Sequence, residues 1–178
     1  MVGLGGLSAE EEAKLGAVGT MRRTGVHRAV PETALARGTW STLPDGSSIW
    51  RVALQSNRAT GMRIEFTNFA IGAGKVWVHT AKTVDGPYTD QGPYGNGTFW
   101  SGTVEGESLV IEYQPESGVT GGTPPFHVHR ISHQALRLQD ALPQQISDPA
   151  ASCQQDNEKR RQAGCNRLGH SEQKWIVK

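Results

Sequence analysis

The sequence predicts an all-β protein, an antiparallel jelly-roll-like β-sandwich with a short peripheral helix and a polar C-terminal tail. Three observations predict it. Residues 49–69 hold two runs of alternating apolar and polar side chains, the period of a strand that buries one face. Four further short runs of strand-forming residues follow, separated by glycine-marked turns. Helical periodicity is scarce between them, which favours two stacked sheets over mixed layers.

In chain order, residues 1–19 form an N-terminal segment. Ser8 and Glu11 make a capping-box pattern, so a short helix starts there, its acidic residues suit the positive end, and Gly16 stops it. Residues 20–138 form the sandwich. The stretch 20–30 mixes basic and β-forming residues and ends at Pro31, as an edge strand does, with Arg22 and Arg23 on a solvated face. Leu43-Pro44-Asp45-Gly46 is a turn.

In the first alternating run Trp50, Val52 and Leu54 point one way; in the second Met62, Ile64 and Phe66 do. They read as a half-buried antiparallel pair, joined by a segment, 56–61, too polar to bury. Further strands are expected at 75–82, 97–104, 108–114 and 126–134. Turns are expected at 72–74, 85–87 and 105–107, the last short enough for a tight hairpin. Trp50, Ile64 and Ile111 should pack between the layers. Residues 139–178 are polar without apolar period, a linker or docking tail that carries Cys153 and Cys165.

The totals bound the function. An apolar share of 36% with 22 glycines describes a turn-rich globular chain. A formal net charge of +1 gives no global field to attract nucleic acid or an acidic membrane. No window approaches the roughly 20 apolar residues that span a bilayer. Neither nucleic acid nor membrane is expected as a partner.

Two chemical signals stand out. In the run 126–133, strand geometry puts His127, His129 and His133 on one face, with Phe126 and Val128 opposite. Clustered neutral imidazoles suit a divalent transition metal such as zinc, copper or iron. Gly121 and Pro124-Pro125 add a cupin-like spacing, although His133 stands where a cupin has Glu, and the one later histidine is His170. His79 shares a face with Trp77 and is a candidate fourth ligand. The bland alternative is a His-rich solvent face. The second signal is aromatic: Trp77, Tyr88, Tyr94 and Trp100 are candidate platforms for stacking on sugar rings, against the alternative that the two sheets bury them.

Several short motifs carry a family resemblance. They are G-T-W-S-T-L-P-D-G-S-S-I-W-R-V from Gly38, G-P-Y-T from Gly86, F-W-S from Phe99 and V-E-G-E-S-L-V-I-E-Y from Val104, with Gly25 to Pro31 as an opening stretch. The chain resembles, over residues 23–133, the non-catalytic N-terminal region of secreted bacterial trypsin-like serine proteases of the lysyl-endopeptidase-like group. The resemblance implies a leader domain, secreted or periplasmic, with its export signal outside this sequence. It implies a catalytic domain as partner in cis, and folding, latency or targeting as the task. Neither an Ala-Ala-His-Cys-like box nor a Gly-Asp-Ser-Gly-Gly box is present, so no catalytic residue is assigned and no cofactor is expected.

Cys153-Gln154-Gln155-Asp156 resembles the Cys-x-x-Asp that follows the leader in this group, but Cys165 lies farther on than the next cysteine does there. Residues 152–163 also read as a helix, which would hold the two Cα atoms farther apart than the roughly 7 Å a disulfide allows. A Cys153–Cys165 bridge and that helix exclude each other, and both stay open. Two other functions remain beside the leader domain: a carbohydrate-binding module with a polysaccharide partner, and a cupin-like metal-dependent enzyme.

Overall fold

The computed structural model describes residues 1–18 and 21–135. The tail, with Cys153 and Cys165, lies outside the described residues. The chain opens with strand β1 (Val2–Gly3) and helix α1 (Ala9–Ala13). The predicted capping box is formed: the Glu11 amide donates to the Ser8 hydroxyl, and the Ser8 amide donates to the Glu11 carboxylate. Next come β2 (Gly16–Val18), β3 (Met21–Arg23) and β4 (Gly25–Ala29), then a 3-10 turn, Glu32–Arg37. The rest is β: β5 (Thr39–Thr42), β6 (Ser48–Gln55), β7 (Gly61–Thr67), β8 (Lys75–His79) and β9 (Val84–Tyr88). Short strands β10 (Phe99–Trp100) and β11 (Val104–Glu105) precede the long β12 (Ser108–Gln114) and β13 (His127–Gln134).

Two sheets result. The first runs β1-β6-β12-β8-β9 with β5 also on β6; the second runs β10-β7-β13-β4 with β11 also on β7. The described pairings are antiparallel apart from β1, which lies parallel to β6. Trp50, Ile64 and Ile111 are 2%, 0% and 0% exposed, packed in one core as expected. From the first sheet come Trp50, Val52, Leu54, Val76, Val78, Leu109 and Ile111; from the second Met62, Ile64, Phe66, Val128 and Ile131. Phe66 centres an aromatic group, its ring 5.2 to 5.5 Å from those of Phe99, Phe69 and Phe126. Each such side chain contributes about 1.5–3 kcal/mol by leaving water.

Four sequence expectations are corrected. The runs of β6 and β7 do not pair. They stand in different sheets, because an alternating pattern records only that one face is buried, and strands facing each other across a core show it too. Their joint is not excluded from the interior: Ser56 is 0% and Ala59 7% exposed. Burial is tolerated because the polar groups are paired, Ser56 N–H to Glu107 O, Asn57 N–H to Gly5 O and Thr60 N–H to Gln134 O.

Likewise, β11 and β12 form no hairpin, since β11 pairs with β7 while β12 pairs with β6 and β8. Gly106 is thus a second crossover, and its N–H donates to Thr60 O in the first. Asp85-Gly86-Pro87, expected as a turn, lies inside β9, with Gly86 at φ 114° and the Gly86–Pro87 peptide cis. A Cβ on Gly86 would come within 2.7 Å of Val76 O, so this strand approaches β8 too closely for a side chain there.

Candidate functional site

The structure does not bring the three strand histidines together. Along β13 the pairing with β7 shifts between Val128 and Arg130, so His129 is an extra, bulged residue. Before the bulge Val128 faces the core and His127 faces out; after it Ile131 and His133 face the core. His133 therefore lies on the opposite face from His127, and the predicted one-sided cluster is corrected for that reason. His79 is in the other sheet, 3.7 Å from Glu112. Among the described residues, no group of three His, Cys, Asp or Glu stands close enough to hold a metal ion. His127 and His129 instead line an open groove of about 670 Å³, together with Leu35, Trp40, Trp50 and Thr67. Trp40 donates from Nε1 to Gly122 O at 2.9 Å and so holds the 121–125 loop as one wall.

The four aromatic candidates also separate. Trp77 lies on the outer face of the first sheet, in register with Glu112. Tyr88 packs its ring against the core, and its hydroxyl donates to Asp85. Burial first, then the Asp85 bond, push that phenol well above the ordinary tyrosine range. Asp85 also accepts from the Gly102 N–H at 2.6 Å, so the Gly-Pro-Tyr motif ties β9 to the stretch after β10. Tyr94 is 75% exposed on its loop. Trp100 lies on the outer face of the second sheet. The four do not share a platform.

Around Trp100 a different constellation forms. Register places Trp100, Glu65 and Arg130 on one rung of the second sheet, and Arg63, Ser132 and His27 two rungs on, on the same face. The Arg63 guanidinium lies 4.8 Å from the indole centroid, that of Arg130 5.7 Å, and the His27 ring 4.8 Å. Glu65, only 8% exposed, accepts from Arg130 through both oxygens and contacts His129 Nδ1 at 3.0 Å. The Arg130 bond outweighs burial and holds the Glu65 carboxyl below the ordinary range. Burial, then the charges of Arg130 and Arg63, push His27 down, leaving it neutral near pH 7. Sequence alternation put Arg63 and Glu65 on one face; it could not say that Trp100, Arg130 and His27 would join them from three other strands.

At the opposite edge of that sheet, Arg28 points inward from β4. Its five N–H groups find five acceptors: Glu11 Oε1 at 3.0 Å, Ser56 Oγ at 2.9 Å, and the carbonyls of Leu4, Gly5 and Gly6 at 2.7 to 3.1 Å. Ser56 Oγ, accepting from Arg28, also shares a hydrogen bond with His133 Nδ1 at 2.7 Å. Burial, then the nearby Arg28 charge, depress His133, so the imidazole is neutral near pH 7. A Ser–His pair suggests nucleophilic chemistry, but Ser56 is 0% exposed and its oxygen is held by a cation. The arrangement is a structural lock that ties residues 4–11 and the first crossover to β13.

A family model described as Lysyl endopeptidase N-terminal domain matches residues 4–135, which include both sheets apart from β1, the lock and the Trp100 face. No curated protein matches the chain, and no solved structure does. The match takes in all the motifs on which the sequence resemblance rests, from the opening Gly25 stretch to the end of β12. This chain belongs to the lysyl endopeptidase N-terminal domain family.

Proposed function

We propose that this sandwich is the non-catalytic leader of an exported trypsin-like serine protease, and that it assists folding or latency of a catalytic domain joined to it in cis. The observation that carries the reading is the family match over residues 4–135, which covers nearly all of the described chain. The domain acts by surface complementarity and without a cofactor. Its one Ser–His contact described above is sealed, which suits a binding role better than hydrolysis. Mixing the chain with a separately made, denatured catalytic domain of the lysyl endopeptidase type tests it. The expected result is a higher recovery of peptidase activity on dilution from denaturant, or inhibition of the folded enzyme. Unchanged recovery together with uninhibited enzyme would refute the reading.

A further inference from the structure

On the outer face of the second sheet, Arg63 stands outside every ion pair among the described residues. Glu65 spends both oxygens on Arg130 and His129, and among the described residues Arg63 has no hydrogen-bonded or ion-paired carboxylate. On the other sheet the corresponding outward arginine, Arg51, is closed by Glu112 at 2.6 Å. The indole of Trp100 is not open for a sugar ring either, since Arg63, Arg130 and His27 surround it at 4.8 to 5.7 Å. What this face presents to solvent is a half-buried guanidinium held over an aromatic ring. Such a guanidinium is oriented before any ligand arrives, and its planar fork matches a carboxylate.

We infer that Arg63, held over Trp100, is a recognition site for a carboxylate on an acidic polypeptide segment. That the segment belongs to the catalytic domain rests on the reading above; the site itself rests on this geometry. His27 reinforces it in acid, because its protonation adds a charge beside Arg63, and Ser132 stands between the two in register. Lys in place of Arg63 would keep the charge but lose the planar stack and the paired donors.

The test is an NMR titration of the whole chain with acetylated hexaglutamate, following the indole N–H of Trp100, assigned by Trp100→Phe. Trp77, on the other sheet, is the internal control. The expected result is a saturable shift at Trp100 and none at Trp77. Affinity should weaken about tenfold in Arg63→Gln, weaken clearly in Arg63→Lys, and fall in 0.5 M salt, where screening acts within about 3–8 Å. Arg63 and Trp100 are outward, so thermal melts of the variants serve as the folding check. Absence of a Trp100 shift, equal shifts at both indoles, or unchanged affinity in Arg63→Gln would overturn the site. Binding of heparin but not of hexaglutamate would overturn the polypeptide assignment. Binding of hexaglutamate without binding of a catalytic domain would leave the site standing and remove the leader reading.

Discussion

Ser56 Oγ lies 2.7 Å from His133 Nδ1, joining two residues 77 positions apart in sequence. The bond exists because the bulge at His129 turns His133 inward and because the first crossover passes through the interior. Arg28 completes it from β4, and through Arg28 the N-terminal segment is fastened to the second sheet while β1 pairs with the first. The chain's opening residues are therefore held from both sheets, by β1 pairing on one side and by the Arg28 guanidinium on the other.

Ser56→Ala should destabilise the domain by about 1–3 kcal/mol, because it strands a buried imidazole nitrogen and one Arg28 N–H. Urea denaturation reads the loss. Arg28→Lys should open the segment before the core, since three donors cannot replace five; hydrogen exchange of the amides in residues 4–12 should rise while those of β6 and β12 stay protected. Uniform exchange across both regions would show that the lock holds nothing local.

Acid should weaken the fold, and the sign follows from His133. Its folded value lies below the ordinary 6.5, so below that pH the unfolded chain takes up a proton the folded one refuses, and stability falls. Glu11 adds to this at lower pH. Burial alone would raise it, but the Ser8 amide and Arg28 together hold it below 4.5, so the stability it lends is lost as pH falls through its folded value. Glu65 acts in the same direction. The urea midpoint should be lower at pH 5 than at pH 7.5, and a midpoint that stays level or rises would contradict the assignment.

Gly38→Ala should cost about 1–3 kcal/mol. A Cβ there would overlap the indole of Trp50, a core side chain that is 2% exposed. Thermal unfolding measures it, and a Tm equal to wild type would mean that Trp50 does not pack as described.

Much of the fold was legible in the sequence, and the reason is local. Trp50, Val52 and Leu54 alternate cleanly, the Ser8–Glu11 cap is a four-residue pattern, and Gly46 marks its turn. What was not legible was non-local. Nothing within residues 49–69 says whether two alternating runs pair or face each other. A bulge is one residue long and leaves the composition of β13 unchanged, yet it reverses the side on which His133 falls. The apparent metal face of His127, His129 and His133 was an inference from strict alternation, and one inserted residue cancels it. The Trp100 face escaped for a similar reason: its members come from four strands whose neighbours only the topology defines.

The central claim is that this domain works by holding a protease catalytic domain. Isothermal titration of the folded chain against a lysyl-endopeptidase-type catalytic domain, its active site blocked by a covalent inhibitor, tests it most directly. The account predicts saturable one-to-one binding that weakens in Arg63→Gln. No heat and no complex at concentrations of about 100 μM, a threshold that corresponds to about 5.5 kcal/mol of binding free energy, would contradict it.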